Sequence, residues 1–324
     1  MHILIVTPAA RGSKAGNRAT AERWCALLVS AGHQVDILTD YQGEDADLMI
    51  ALHAWRSHAA VTRFREAYPA KPLIVVMTGT DIYQFQYRDP ETTYHSMALA
   101  DVLIGLHRKV ADDLPECFHA KLRLVLQSAD PQQRPVSELS SEDFGVCVIG
   151  HLRDEKDSLR AAMASRLLPA ESRIRVWQAG KPHTEQWERM ATEESRHNPR
   201  FQWLREIDKK GVQQLMARSR LMVISSVMEG GANVVSEACR SGLPVIASDI
   251  PGNRGLLGDE YPGYYPVSDE QALAALLLKA ERDSSFLTHL TELVEQRAGD
   301  FTPAAEQAAL LQALDAARAT PSAR

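Results

Sequence analysis

The sequence predicts an α/β protein of two doubly wound domains. Short apolar runs alternate with longer amphipathic ones, the alternation breaks once in a polar proline-containing stretch, and it then restarts with the same rhythm. A length of 324 residues suits two domains of ordinary size.

The first strand is "ILIVT" at 3–7, followed by a helix from about 17 to 31 and a second strand in "GHQVDILTD". "DLMIALH" (47–53), "PLIVVMTG" (72–79), "ADVLIGL" (100–106) and "LRLVLQS" (122–128) repeat the theme. Strands apolar on both faces belong to a parallel sheet covered by helices. "SADPQQRPVSELSSEDF" at 128–144 has linker composition and no apolar period. The strand pattern resumes with "GVCVIG" (145–150), a helix from about Lys156, "RIRVWQAG" (173–180), "RFQWL" (200–204), "RLMVISS" (220–226) and "LPVIAS" (243–248). The expected domains are therefore 1–128 and 144–302, with a linker at 129–143. A helix at about 303–317 is expected to return to the first domain.

Composition narrows the function. A net charge of −6 leaves no broad basic face, which argues against nucleic acid as a partner. No apolar run approaches the roughly 20 residues needed to cross a bilayer, and the N-terminus lacks the pattern of a signal peptide. The four cysteines lie far apart with no Cys-x-x-Cys, so they are expected to be free thiols packed as small hydrophobes in a reducing cytoplasm.

The most informative stretch is "SSVMEGGANVVSEACRSGLPVIASDIPGN" at 225–253. Glu229 follows a strand's carboxyl end, where open α/β sheets bind ligands. Gly230 and Gly231 let backbone approach a ligand closely, and the helix start that follows suits a phosphate. Glu237 lies about two turns inside that helix. Carboxylates on both sides of a phosphate cradle suit a nucleotide sugar, which has hydroxyls at both ends. "VIGHLRDEKDSLR" adds His151, Arg153 and Lys156 after the domain's first strand, and fixed cations such as Arg153 and Lys156 can stabilise a departing diphosphate.

The first domain carries a hydroxylated and basic loop, "TPAARGSKAGNRATAERW", with Gly12, Ser13, Lys14, Gly16, Asn17, Arg18 and Thr20. It has neither P-loop nor Gly-x-Gly-x-x-Gly spacing, but a loop of this kind before a helix is an anion cradle. "HAWRSH", with His53 and Arg56, and "MTGTDIY", with Thr78, Gly79, Thr80 and Asp81, end neighbouring strands of the same sheet. Asp45 and Asp47 in "DAD" lie far from the donor motif, so no metal or other cofactor is expected.

The Glu-x7-Glu stretch with its "EACRSGLPVIASD" continuation resembles the donor motif of retaining GT-B glycosyltransferases of the GT4 type. "GHLRDEK" is similar to that family's "GRL-x-x-EKG" run, and "TGTD" to its "HGTD" turn, with Thr78 in place of His. The resemblance implies a GT-B fold, two Rossmann-like domains facing across a cleft. It implies that Glu229 contacts the donor sugar and Glu237 the ribose, with Lys156 and Arg153 on the diphosphate. Gly230, Gly231, Ala232, Asn233, His151 and Leu204 complete the implied donor set. The chain departs from the family at Gly231-Ala232 and near "GNRG".

Taken together, these motifs resemble one GT4-like branch, the selenosugar synthases of selenoneine biosynthesis. Such enzymes join glucose or N-acetylglucosamine from a UDP-sugar to selenophosphate, releasing UDP and phosphate. Small hydroxylated and basic first-domain loops, rather than an aromatic face, agree with a small anionic acceptor that needs little base help. Two other readings stand beside this one. One is a conventional GT4 enzyme acting on a small hydroxyl- or phosphate-bearing acceptor, and the other a nucleotide-sugar-binding protein without turnover.

Overall fold

The computed structural model describes residues 1–13, 15–132, 134 and 142–320. Lys14 and most of the expected linker core, 133 and 135–141, lie outside the described residues. Two compact units are present. Unit 1 comprises Met1–Ser128, Glu229–Asn233 and the segment from Pro303; unit 2 comprises Ala129–Met228 and Val234–Thr302.

Unit 1 is built on six parallel strands: β1 (His2–Val6), β2 (Gln34–Leu38), β3 (Leu48–Leu52), β4 (Leu73–Met77), β5 (Val102–Gly105) and β6 (Leu122–Leu124). Their order is β2-β1-β3-β4-β5-β6. The direction of winding reverses between β1 and β3, the switch point where α/β sheets hold ligands. Its helices are α1 (Gly16–Ser30), α2 (His58–Ala67), the short α3 (Gln86–Arg88) and α4 (Pro90–Leu99). A π-helical turn at Asp81–Phe85 precedes α3. β3 and β4 are buried at every position, as helix-covered strands must be. β2 is an edge strand, so Gln34 and Asp36 reach solvent.

Unit 2 repeats the plan with β7 (Phe144–Ile149), β8 (Ile174–Ala179), β9 (Phe201–Trp203), β10 (Leu221–Ile224), β11 (Val245–Ser248) and β12 (Tyr264–Tyr265). They are parallel in the order β12-β11-β10-β7-β8-β9, the dinucleotide-fold order with its switch point between β7 and β10. Its helices are α5 (Arg160–Arg166), α6 (Glu185–His197), α7 (Lys209–Arg218), α8 (Asn233–Arg240), α9 (Pro251–Leu257), α10 (Glu270–Arg282) and α11 (Ser284–Arg297). The helix expected from Lys156 starts later. A 3-10 turn covers Asp154–Lys156, Asp157 turns left-handed at φ 44, and α5 begins only at Arg160. A left-handed residue cannot continue a right-handed helix.

The last helix, α12 (Pro303–Ala319), belongs to unit 1 and covers one face of its sheet with α1. Leu310 and Leu314 pack with Trp24 and Leu28 over Ile3, Ile5 and Ile50. Glu306 of α12 is fully buried. Its carboxylate accepts hydrogen bonds from Trp24 Nε1 (2.7 Å), Arg23 Nε (2.8 Å), Ser128 N (2.9 Å) and Ser128 Oγ (2.5 Å). Buried charge is tolerated only when paired and fully hydrogen-bonded, and Glu306 meets both conditions. Cys147 and Cys239 are buried free thiols, and burial pushes both up to about 12. Among the described residues no helix is long and apolar enough to cross a membrane.

Candidate active site

At the carboxyl edge of unit 2, the loops after β7 and β10 are stitched across the switch point. Val227 N donates to Glu155 O (2.9 Å), and Ser225 Oγ to the carbonyls of Lys156 and Asp157 (3.0 Å each). Ser158 Oγ accepts from Arg153 N (3.1 Å), closing the turn that carries Arg153 and Lys156. Both cationic side chains are partly exposed, and Arg153 Nε lies 3.8 Å from Glu155 Oε2. His151 Nδ1 accepts from Lys181 N (3.3 Å), so the ring carries its proton on Nε2. The His183 ring lies 5.5 Å away, and burial, Arg153 and His151 hold it below the usual imidazole range. A Cβ on Gly180 would overlap the Gly150 carbonyl, so the turns after β7 and β8 approach backbone to backbone. Glu237 is half-buried in the second turn of α8, and Leu204 N donates to Gln178 O (2.8 Å).

In unit 1, Glu229 is buried and opens the five-residue segment through Asn233. Gly230 lies against the "TGT" turn: an added Cβ would overlap the Thr78 carbonyl and fall 2.5 Å from Gly79 N. Gly79 has φ 122, and a Cβ there would fall 2.7 Å from Gly230 N. Gly230 thus serves contact with neighbouring backbone, where the sequence suggests contact with a ligand. Gly231 faces Leu106 and Gln127. With its amide oriented to satisfy both ends, Gln127 donates to Gly231 O (3.0 Å) and Asn233 Oδ1 (3.2 Å), and its oxygen lies 2.5 Å from Thr20 Oγ1. Gly16 at the start of α1 is next to Asn233, with an added Cβ 3.9 Å from Nδ2. Ala232 is buried in the same segment.

The expected acceptor residues divide. Asp81 is fully buried and accepts from the backbone N–H groups of Thr78, Gly79, Ile82 and Ala54 at 2.7–3.2 Å. Its carboxylate is consumed by the turn, so it organises the loop and has no free face for substrate. His53, at φ 78, accepts from Arg56 N on Nδ1 (3.1 Å) and meets Thr80 Oγ1 with Nε2 (2.9 Å). The proton therefore sits on Nε2, and burial lowers the ring's affinity for a second proton despite Asp81. Arg18 is buried and paired with Glu22 (2.6 Å), not a cation held open for an anion. Gly12 at φ 80 meets nothing nearby, Ser13 Oγ accepts from Ala15 N (3.1 Å), Asn17 is half-buried and Arg56 exposed.

The family profile of the group 1 glycosyl transferases matches residues 129–297. The chain belongs to this family. No curated protein sequence matches the chain. Among solved structures, HepE from Anabaena, in complex with UDP, aligns with TM-score 0.80 at 15% identity, covering 97% of this chain and 100% of that one. Sucrose-phosphate synthase from Thermosynechococcus elongatus aligns at 0.78 with 17% identity, covering 97% and 98%. A glycosyltransferase from Rickettsia africae aligns at 0.71 with 13% identity, covering 98% and 99%. These likenesses establish the GT-B fold.

As a group 1 glycosyl transferase the chain is an enzyme, and its unit 1 holds residues that the sequence reading missed. His107, just past β5, is fully buried; its Nε2 lies 3.0 Å from Tyr83 Oη, which donates to Asp113 Oδ2 (2.9 Å). Burial pushes His107 down to about 4. A helix-period search does not find this network, because the π-helical turn places Tyr83. The same turn sends Phe85 to stack on Trp55, centroids 4.0 Å apart at 11°, with Tyr87 72% exposed nearby in sequence. The Trp55–Phe85 stack departs from the expectation of small, hydroxylated and basic first-domain loops rather than an aromatic face. Asp45 is paired with Lys71 (2.5 Å) and Asp47 accepts from His2 N (2.8 Å), so both acidic residues of "DAD" hold local structure. Among the described residues no group of three or more His, Cys, Asp or Glu is placed to hold a metal ion.

Proposed function

We propose that this glycosyltransferase moves a hexose, glucose or N-acetylglucosamine, from a UDP-sugar to the selenium of selenophosphate, releasing UDP, and that water then takes the phosphoryl group from selenium, releasing phosphate and leaving a 1-seleno-sugar. The observation that carries the donor half is the basic turn of Arg153 and Lys156 at the unit 2 switch point, together with the Glu229–Glu237 segment. The UDP complex of HepE supports a uridine donor. Lys156 and Arg153 stabilise charge developing on the diphosphate, Glu237 accepts from the ribose hydroxyls and Glu229 orients the hexose. No metal enters this proposal.

The acceptor half rests on the motif resemblance and on the chemistry of unit 1. His53 is neutral with its proton committed to Thr80, and Thr78 offers no imidazole. That pairing suits a nucleophile reactive without a strong base. The Trp55–Phe85 stack favours a second reading, an ordinary hydroxyl-bearing acceptor that packs on aromatic rings. Release of UDP with selenophosphate, and with a panel of alcohols, tests the choice. UDP release that needs selenophosphate supports the first reading; release with alcohols alone supports the second.

A further inference from the structure

β8 presents Ile174, Val176 and Gln178 on one face, and all three are buried. Two aliphatic side chains and then an amide is an unusual sequence for a core strand. Gln178 is 1% exposed, and neither its Nε2 nor its Oε1 has a hydrogen-bond partner. It stands between Val148 of β7 and Trp203 of β9 in the ladders. Buried amides are almost always satisfied, so one with both ends open demands a missing partner.

The place of that partner is visible. Gln178 lines a small cavity of about 10 Å³ with Gly150, Lys156, Ser158, Ser225 and Ser226. The volume admits one small polar group, on the scale of a single water. The cavity lies between the ends of β7 and β10, the topological switch point of the sheet. Its wall combines a lysine, an amide and hydroxyls. A water alone would use the amide but gives no reason for a lysine in the wall; a phosphoryl oxygen uses both, through charge and through the Gln178 N–H.

We propose that Gln178 is a further donor-binding residue, which donates from Nε2 to a phosphoryl oxygen of the nucleotide diphosphate beside Lys156. This rests on the UDP-sugar reading above. It makes Gln178 a reader of the diphosphate and not of the nucleoside.

The test compares wild type with Gln178→Leu, an apolar replacement that suits the apolar face of β8. Calorimetry measures UDP, inorganic pyrophosphate and uridine on each protein, with a thermal melt as a folding control. The expected loss is about tenfold for UDP and for pyrophosphate, the scale of one charge-assisted hydrogen bond, with uridine unchanged. Unchanged UDP and pyrophosphate affinities in a folded Gln178→Leu overturn the proposal and leave the amide to a structural water. An equal loss for uridine overturns it too. Wild-type binding separates the two claims: pyrophosphate bound without UDP removes the uridine-donor reading, while the pyrophosphate ratio still judges Gln178. A wild type that binds neither contradicts both.

Discussion

Gly79 and Gly230 meet backbone to backbone in unit 1: a Cβ on Gly79 would fall 2.7 Å from Gly230 N, and one on Gly230 would fall 2.5 Å from Gly79 N. The turn that begins with Thr78 and the segment that begins with Glu229 therefore fix one another. Gly230→Ala must push backbone, not a flexible side-chain tip, so it is expected to destabilise unit 1 by roughly 1–3 kcal/mol and to depress turnover strongly. Thermal melts and initial rates on the same variant check this. A stable, fully active Gly230→Ala would show that the two segments separate freely.

Glu306 ties α12 to α1 and to the end of the first domain's last apolar run. Removing the carboxylate takes away the anion paired with Arg23 and leaves the Trp24 N–H buried and unpaired. Glu306→Ala is expected to cost roughly 3–5 kcal/mol, the scale of a broken buried ion pair. Urea unfolding followed by tryptophan fluorescence, wild type against variant, measures it. A shift below about 1 kcal/mol would reduce the cluster to the level of a surface pair.

His107 makes stability depend on pH. Its folded value of about 4 lies below its ordinary value of 6.5, so the folded state binds the proton less well than the unfolded one. The resulting stability is fully present above pH 6.5 and is lost as pH falls toward 4, by about 3 kcal/mol over that window. His107→Gln is expected to flatten this part of the profile. His53 is also depressed by burial, so the comparison between wild type and variant isolates the contribution of His107. Identical slopes would mean that His107 takes up its proton when folded.

The proposed function assigns Glu237 and Lys156 to different parts of the donor. Glu237→Ala is expected to weaken UDP binding by roughly 1–3 kcal/mol, the cost of lost charged hydrogen bonds. Lys156→Ala is expected to depress kcat more than it disturbs folding. Calorimetry with UDP and rates with UDP-sugar separate the two, and a folded Glu237→Ala with normal UDP affinity removes Glu237 from the donor site.

Apolar runs made the two-sheet architecture legible, since buried parallel strands such as β3 and β4 are apolar at every position. The Glu229–Glu237 segment was legible because its residue types and spacing are rare together. Other features required three dimensions. Asp157 turns left-handed, so the helix expected at Lys156 starts at Arg160. Arg18 reads as a free cation in sequence, but Glu22 lies one helical turn away and pairs with it. Asp81 reads as a ligand and is spent on backbone N–H groups. His107 and Gln178 carry no local motif: one is set by a π-helical turn, the other by an amide breaking an aliphatic strand face.

Product mass tests the proposed reaction most directly. The protein is incubated with UDP-glucose or UDP-N-acetylglucosamine, selenophosphate and an equal concentration of alcohol acceptors, and the sugar products are weighed by mass spectrometry. The expected result is a hexose carrying the selenium isotope pattern, with UDP and phosphate released in equal amounts. Selenium-free glycosides of the alcohols, with selenophosphate untouched, would contradict it.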